Sequence, residues 1–257
     1  MKKLISLILV TVLALSVSGA FAEDLLDTIK NRGTLVIATE GNWSPWTYHD
    51  ESGELVGLDV EIGKLIAEGL GVTAEFQETD WDSILAGVDS GRFDIACNGV
   101  GYTETRAEKY SFSTPYVYTH KVLVVRADNE DIHTLADLKG RTTANSPNST
   151  YANLAEENGA TVTSIDTLDQ TIELLLQGRV DATINAKGSI DDYLSQHPDA
   201  AIKVVAQLDG DPVVFPVSKG ADSESLMQEI DRILSELRES GKLRECCSPC
   251  PWARPVR

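Results

Sequence analysis

Residues 98–106 combine two glycines with an arginine at a predicted strand-to-helix junction. Residues 93–97 are an apolar, β-prone run that predicts a buried strand. Residues 103–109 follow as a predicted helix with Thr103 as its N-cap. The backbone between these elements can turn and expose its N–H groups at Gly99, Val100 and Gly101. We expect those N–H groups to be available to a small anion.

Arg106 falls in the first turn of that predicted helix. A cation is unfavourable there because the N-terminal end of the helix dipole is positive. A ligand carboxylate would compensate it, since a guanidinium grips a carboxylate bidentately while nearby N–H groups donate to the same anion. The alternative is a surface arginine paired with Glu104 or Glu108. This stretch alone leaves both interpretations open.

Eight short motifs follow one another along the chain in an order and spacing typical of one family. They are WSPWTY at 43–48, GLDVE at 57–61, DWDSI at 80–84, GRFD at 91–94, TETR at 103–106, FSTP at 112–115, DLKG at 137–140 and QGRVDATIN at 177–185. Over most of its length the sequence resembles the bacterial extracellular solute-binding proteins of family 3, and its second half is most similar to cystine-type and general polar amino-acid binders. The resemblance implies an α/β, two-lobed periplasmic-binding-protein fold of type II, in which two mostly parallel sheets are joined by two hinge strands. It also implies a ligand cleft between the lobes.

The order of the predicted elements agrees with that architecture. Strands alternate with helices along most of the chain, which favours mostly parallel sheets covered on both faces. In the resembling family, strands equivalent to 121–126 and 213–217 cross between the lobes. We therefore expect lobe 1 to comprise residues 23–121 and 216–245, and lobe 2 to comprise residues 122–215. The closing helix of the chain should pack on lobe 1.

The first 22 residues have the physical pattern of a cleavable signal peptide. Lys2 and Lys3 give a charged start, residues 4–17 are a short apolar run, and residues 20–22 have the small-x-small cleavage pattern. The run is shorter than the roughly 20 apolar residues of a transmembrane helix. We expect secretion to the periplasm or the cell exterior. There is no cysteine near the cleavage site to which a lipid anchor could be attached, which favours free export to a periplasm.

The chain of 257 residues has a formal net charge of −18, which argues against binding to nucleic acid or to anionic membranes. No Ser–His–Asp, zinc or phosphate-loop pattern appears in it. The histidines fall in apparent loops or exposed positions, and we expect His49, His120, His133 and His197 to be surface residues. We expect a monomer without a cofactor or a metal.

The cysteines are unevenly placed. Cys97 lies in a predicted strand and is expected to be a buried small hydrophobe. The other three crowd the tail, at Cys246, Cys247 and Cys250, without the look of a disulfide framework or a histidine near enough for a zinc site. Residues 246–257 also depart from the resembling family, whose chains usually finish with an aromatic-rich helix end. We expect this atypical tail to be disordered, and a frameshift or altered terminus would explain it.

Two tryptophans follow predicted strands and should face the edge where ligands bind in open α/β sheets. Trp43 lies in the loop after the first strand, and Trp81 opens the helix after the next one. Together they could sandwich an aliphatic or sulfur-containing side chain, and ordinary packing is the alternative. Trp46 and Tyr48, in the same loop as Trp43, are expected to be core residues.

Lobe 2 should contribute the loop 145–150, which precedes a predicted helix. Ser149 or Thr150 can cap that helix, and the free N–H groups there suit the other side of a ligand carboxylate. Asn148 in the same loop and Asn185, at the end of a predicted strand, complete the expected binding wall.

Ala186 stands where the resembling family usually has an aspartate for the α-ammonium of the ligand. A buried ammonium without a carboxylate is costly. Either Glu40 in lobe 1 supplies the negative charge, or the ligand is something other than a standard α-amino acid. We favour the first, because the rest of an amino-acid-type pocket is retained.

The resemblance implies a receptor for a polar or sulfur-containing amino acid, or a related carboxylate, that hands its ligand to the permease subunits of an ABC importer. An enzyme on the same scaffold is the alternative, because a few family members are dehydratases. Such an enzyme needs a carboxyl general acid in the cleft, for which Glu40 or Glu104 could be recruited. A sensor domain is a third option, but no transmembrane or signalling segment follows Gly241. We favour binding without enzymatic activity.

Overall fold

The computed structural model describes residues 23–247 and 254–255. The predicted signal peptide, residues 1–22, lies outside the described residues. Within them, no helix is both long enough and apolar enough to span a bilayer.

The first part of the described chain builds a three-stranded parallel sheet with an antiparallel meander beside it. In chain order its elements are α1 (Leu25–Arg32), β1 (Thr34–Thr39), β2 (Asn42–Trp43), β3 (Thr47–His49), β4 (Leu55–Val56), α2 (Leu58–Leu70), β5 (Thr73–Glu78), α3 (Trp81–Asp89), β6 (Ile95–Ala96), α4 (Glu104–Ala107) and β7 (Tyr110–Phe112). Strand β1 lies between β5 and β6, and β2, β3 and β4 form the meander. The carboxyl ends of the three parallel strands therefore meet at one edge.

The second part builds a larger mixed sheet. Its elements are β8 (Val117–Arg126), a 3-10 turn (Leu135–Leu138), β9 (Thr142–Asn145), α5 (Thr150–Glu157), β10 (Thr161–Ser164), α6 (Leu168–Leu176), β11 (Ala182–Ala186), α7 (Lys187–Gln196) and β12 (Ile202–Val213). The strand order is β10–β9–β11–β8–β12. Strands β9, β10 and β11 run parallel, whereas β8 is antiparallel to both of its neighbours.

The last part of the chain returns to the first sheet. It comprises β13 (Pro216–Ser218), α8 (Glu224–Glu239), α9 (Lys242–Cys247) and β14 (Arg254–Pro255). Strand β13 pairs with β7. Helix α8 buries its apolar face in the core of the first part, through Leu226, Ile230, Ile233, Leu234 and Leu237. The expected packing of the closing helix is confirmed.

Two segments run side by side between the two parts, which we call lobe 1 and lobe 2. The N–H of Tyr116 donates to the carbonyl of Val213 (3.1 Å), and the N–H of Ser113 donates to the carbonyl of Phe215 (3.0 Å). The rings of Tyr116 and Phe215 stack with centroids 4.2 Å apart. The two-lobed α/β fold with paired crossing segments is thus present. The lobe boundaries after residue 121 and before residue 216 stay a prediction. Strand β8, which spans the first of these boundaries, pairs along its whole length within the second sheet.

The tail differs from its prediction in two places. Helix α9 continues to Cys247, and β14 pairs with the start of β8. The reason is that the start of β8 has a free edge. Strand β11 ends opposite Lys121 of β8, and β14 pairs with the earlier residues Val117 and Tyr118. Residues 248–253 and 256–257 lie outside the described residues.

Several side chains have the burial that the sequence predicts. Cys97 and Trp46 are buried in the core of lobe 1, whereas Tyr48 is only half-buried. Of the histidines, His120 is half-buried and the others are exposed.

Candidate functional site

A cleft lies between the lobes where the carboxyl ends of their parallel strands face each other, as expected for an open α/β sheet. Most of the residues predicted to bind a ligand line it. They are Glu40, Trp43, Trp81, Gly99, Gly101, Arg106, Ser149, Thr150 and Asn185.

Arg106 is half-buried in this cleft, after Thr103, whose hydroxyl accepts from its N–H and caps α4 as predicted. Its Nη1 donates to the carbonyl of Gly101 (2.9 Å), and its guanidinium lies 5.2 Å from the ring centroid of Trp81. No carboxylate of the described residues forms an ion pair with it, so the pairing with Glu104 or Glu108 is not formed. Burial lowers the pKa of the guanidinium. The arginine therefore faces the cleft with donors still available.

Gly99 has a left-handed backbone (φ 57°), and a Cβ there would lie 2.9 Å from the ring of Trp46. Its N–H donates to Oδ2 of Asp59 over 2.6 Å. Burial raises the pKa of Asp59 to about 7. The expectation that this N–H is open to a ligand is therefore corrected, because a buried carboxylate of the protein already occupies it.

Val100 and Asn148, also predicted to bind a ligand, lie outside the lining. The side chain of Val100 is buried in the lobe 1 core, and its carbonyl accepts from the N–H of Val214 (3.0 Å). Asn148 is exposed, with φ 56°, and its Nδ2 donates to Oδ1 of Asp82 (3.0 Å). Val100 thus anchors the glycine loop, and Asn148 joins the two lobes.

Glu40, at the end of β1, is held by Asn98. Asn98 Nδ2 donates to Glu40 Oε2 (2.6 Å), and Asn98 Oδ1 accepts from the N–H of Glu40 (2.9 Å) and from the hydroxyls of Thr39 and Thr47. The pKa of Glu40 is raised to about 7, mainly by burial and also by the charge of Asp166, against the lowering effect of the Asn98 hydrogen bond. The cleft thus contains a carboxyl group whose charge depends on pH near neutrality.

The two predicted tryptophans line the cleft, and each already contacts another group. Trp43 lies edge-on to Tyr151 of lobe 2, with centroids 6.3 Å apart, and 5.9 Å from Trp46. The guanidinium of Arg106 lies over the ring of Trp81 in a cation–π contact. Trp43 therefore contributes to the contact between the lobes, and Trp81 helps to position Arg106.

Lobe 2 contributes the ends of β9 and β11. The hydroxyl of Ser149 accepts from the N–H of Ala152 (3.1 Å) and caps α5, as predicted. Asn185 lines the cleft, and its Oδ1 accepts from the N–H of Ala186 (2.9 Å). The side chain of Ala186 is buried outside the lining.

Sequence reasoning missed a group of lining residues, mostly from lobe 2. They are Asn42, Asn145, Ser146, Tyr151, Asp166, Thr167, Leu168 and Thr171. The signal for Asp166 and Thr167 was present, because they follow the carboxyl end of β10, where the same strand-end rule applies. Asn145 and Ser146 lie in the predicted lobe 2 loop 145–150 at the carboxyl end of β9, but the orientation of the Asn145 side chain depends on partners in a distant strand.

The lobes touch each other across the cleft. Ser44 Oγ of lobe 1 donates to Asp192 Oδ2 of lobe 2 over 2.7 Å. Arg106 Nη2 lies 3.4 Å from the backbone carbonyl of Asn148. The side chain of Asn148 donates to Asp82. These contacts describe a closed cleft, with a cation from lobe 1 and carboxyl groups from both lobes. No cluster of three or more metal-ligating side chains occurs in the described part of the chain.

Comparison with known proteins gives one family. Residues 35–248 match the model of the bacterial extracellular solute-binding proteins, family 3. A probable amino-acid ABC transporter-binding protein from Haemophilus influenzae is 39% identical over 225 residues, which cover 87% of each chain. The L-cystine-binding protein TcyA from Bacillus subtilis is 39% identical over 223 residues, covering 86% of this chain and 82% of its own.

Among solved structures, an ancestral arginine-binding protein bound to arginine superposes with a TM-score of 0.80. It is 32% identical and covers 86% of this chain and 99% of its own. The match over most of the sequence and the shared fold agree. The chain belongs to the bacterial extracellular solute-binding proteins, family 3.

Proposed function

We propose that this protein binds a polar or sulfur-containing amino acid in the interlobe cleft and delivers it to the permease subunits of an ABC importer. The observation that carries the proposal is Arg106, a half-buried guanidinium that faces the cleft without an ion pair among the described residues. A desolvated cation of this kind is best stabilised by a carboxylate that brings two oxygens to its planar fork. Every amino acid supplies that carboxylate.

The rest of the cleft suits the other end of an amino acid. Glu40 and Asp166 line the same cleft as Arg106, and the charge of Asp166 acts on Glu40. A zwitterion offers opposite charges to these two sets of groups, whereas a simple dicarboxylate would bring a negative charge to Glu40. The names of the two relatives, one an amino-acid and the other an L-cystine binder, support the same choice.

Closure of the lobes supports a receptor rather than a surface binder. With Ser44 bonded to Asp192 and Asn148 bonded to Asp82, a ligand in the cleft is enclosed by both lobes. Its exchange then requires the lobes to separate about the paired crossing segments, which is the hinge motion of two-lobed binding proteins. A permease that recognises the closed form would receive only loaded receptors.

We further propose that the chain works outside the cytoplasmic membrane as a monomer, after removal of residues 1–22. Family membership supports the extracytoplasmic location. Mass spectrometry of the secreted protein would give the new N-terminus, and light scattering would give the oligomeric state.

Calorimetry with a panel of amino acids tests the main proposal. L-cystine, L-arginine, L-glutamine and L-histidine form the first panel, beside succinate as a carboxylate without an ammonium. We expect at least one amino acid to bind more tightly than succinate and to raise the melting temperature. Binding of succinate alone would contradict the amino-acid proposal and favour a carboxylate ligand. Mass spectrometry of the small molecules that copurify with the protein would identify candidate ligands outside this panel.

One observation favours an enzyme as the second candidate. Glu40 has a pKa raised to about 7 by burial, which is suitable for a general acid in a dehydratase. A turnover assay with prephenate-like substrates separates the two candidates. An enzyme converts such a substrate to product, whereas a binding protein leaves it unchanged.

A further inference from the structure

We propose that the side-chain oxygen of Asn145 accepts a hydrogen bond from the α-ammonium of the bound amino acid. With Glu40 from lobe 1, it forms an ammonium site that does not use residue 186. The inference rests on the proposed amino-acid function and names a residue that holds the ligand in lobe 2.

The orientation of the Asn145 carboxamide follows from its partners. Its Nδ2 donates to the carbonyl oxygen of Ile184 over 2.6 Å and lies 3.2 Å from the hydroxyl of Thr183. A carbonyl oxygen can only accept, so the nitrogen of the carboxamide must face Ile184. Flipping the carboxamide would place two acceptors 2.6 Å apart. The side-chain oxygen of Asn145 therefore points away from β11.

That oxygen has no partner within the described chain. Asn145 is 2% exposed, its Oδ1 is buried, and no donor among the described residues reaches it. Asn145 also lines the interlobe cleft, so the residue that carries this acceptor borders the space a ligand would occupy. A buried acceptor without a hydrogen bond is costly, and buried polar groups in native proteins are nearly always paired. The geometry points to a donor that the ligand brings.

The neighbouring charges select a cationic donor. Glu40 and Asp166 line the same cleft, and Asp166 contributes the largest of the charge effects on Glu40. An ammonium offers three N–H donors, enough to reach a carboxylate of lobe 1 and a carbonyl oxygen of lobe 2 at once. A ligand held by groups of both lobes favours the closed form, so affinity and closure would be coupled.

Asn185 provides a matched comparison on the adjacent strand of the same sheet. It also lines the cleft, but its Oδ1 accepts from the N–H of Ala186. A backbone N–H can only donate, so Asn185 Oδ1 is fixed there and its Nδ2 faces the other way. Of these two asparagines, only Asn145 presents an acceptor, whereas Asn185 presents a donor. Removing each carboxamide should therefore have different consequences for an ammonium.

A cycle of two ligands and three proteins tests the inference. The ligands are the tightest-binding amino acid of the calorimetry panel and its des-amino analogue, in which hydrogen replaces each α-ammonium. The proteins are wild type, Asn145→Ala and Asn185→Ala, compared by calorimetry. We expect Asn145→Ala to weaken the amino acid by tenfold or more but the des-amino analogue by less than threefold. Asn185→Ala should change both ligands by similar factors.

Equal losses of the two ligands in Asn145→Ala would overturn the inference, because they would indicate that Asn145 only supports β11. The Nδ2 bonds make some loss of stability in this variant expected. If the variant does not fold, NMR of the wild-type protein is used instead, and the side-chain carboxamide signals of Asn145 are followed as each ligand is added. They should shift with the amino acid and stay in place with the des-amino analogue, and identical shifts would contradict the inference.

The outcome also separates this inference from the proposed function. If wild-type protein binds no amino acid of the panel, the proposed function itself is wrong. If an amino acid binds and the two ligands respond alike to Asn145→Ala, the function stands and only the role of Asn145 is refuted.

Discussion

The hydroxyl of Tyr116, in the segment that leaves lobe 1, donates a 2.7 Å hydrogen bond to the buried carboxylate of Asp59. The other oxygen of Asp59 accepts from the N–H of Gly99, in the loop that lines the cleft. Tyr116 also stacks on Phe215 of the returning segment. Asp59 thus joins the hinge to the ligand loop through a single carboxylate.

Replacing Asp59 with Ala should weaken both the fold and ligand binding. The half-buried N–H of Gly99 would lose its acceptor, at a cost of about 1 kcal/mol of unfolding free energy, and the glycine loop would move. Asp59→Asn should recover most of both, since its oxygen can accept from Gly99 and its nitrogen can donate to the Tyr116 hydroxyl. Urea unfolding and calorimetry measure the two effects. Equal behaviour of the Ala and Asn variants would contradict this role.

Much of the fold follows from local patterns. The sequence predicts helices over 58–70 and 168–176 and a β-prone strand over 142–145, and α2, α6 and β9 have these bounds in the structure. The helix predicted over 103–109 is shorter, Glu104–Ala107, because the chain enters strand β7 at Tyr110. The strand predicted over 202–206 is longer in the structure, because irregular pairing with β8 continues β12 to Val213.

The site was less predictable than the fold for a physical reason. Strand-end loops and a helix N-terminus make Arg106 and Trp81 candidates from nearby residues, although those residues alone leave a surface or packing role open. Asn98, Asp59 and Asn145 depend on hydrogen bonds to partners about 40 to 60 positions away, so their orientation is invisible in a local pattern. Only the fold brings those partners together.

Arg106→Ala should reduce affinity for the amino acid by about 2–5 kcal/mol, because the ligand carboxylate would be enclosed without its partner. Arg92→Ala is the matched control: Arg92 also lies over an aromatic ring, 4.8 Å from the centroid of Phe93, but is exposed and outside the cleft lining. Calorimetry should show a loss only for Arg106, while the melting temperature without ligand barely moves. Unchanged binding in Arg106→Ala would refute its role as the anchor.

Ligand binding should change the intrinsic fluorescence through Trp43 and Trp81, because both indoles line the cleft and lose water when the lobes close on a ligand. Trp46 is fully buried and should contribute a constant background. Phe at Trp43 or Trp81 should keep part of the affinity, since it retains an aromatic surface, and Ala much less. Fluorescence titrations of the four variants test this, and wild-type affinity in both Ala variants would assign the two rings to packing alone.

Affinity for an amino acid should depend on pH through Glu40. Its pKa is raised to about 7 without ligand, and an ammonium beside it would favour the carboxylate and lower that pKa. Binding below pH 7 therefore releases a proton, so affinity should be full above about pH 7 and fall by at most about tenfold per pH unit below it. Calorimetry in two buffers of different ionisation enthalpy measures the released proton.

Glu40→Gln is the variant that tests this pH dependence. It should flatten the profile between pH 5 and 8 and weaken binding most at pH 8, where the carboxylate of the wild type is ionised. Glu104→Gln is the control, because Glu104 is exposed and outside the cleft lining. A pH profile that survives in Glu40→Gln would assign the titrating group elsewhere.

Ala186→Asp should be tolerated and should tighten an amino-acid ligand. Ala186 occupies the N-cap position of α7, with extended backbone and no side-chain cap, and an aspartate there can accept from the first N–H groups of the helix. Ala186 is buried outside the cleft lining, but it directly follows Asn185 of the lobe 2 wall, so a carboxylate that caps α7 there would attract an ammonium in the cleft through space. Ala186→Asn is the matched control, since it can cap the helix without adding a charge.

Calorimetry of these two variants distinguishes the ligand classes. Tighter binding in Ala186→Asp than in Ala186→Asn identifies an ammonium near this wall, and in that background Asn145→Ala and Glu40→Gln should each cost less than in the wild type, because the new carboxylate shares their role. A strong loss in Ala186→Asp alone, together with a mild effect of Glu40→Gln, would mean that the aspartate remains an unpaired charge. The ligand would then be a carboxylate without an amine, still held by Arg106.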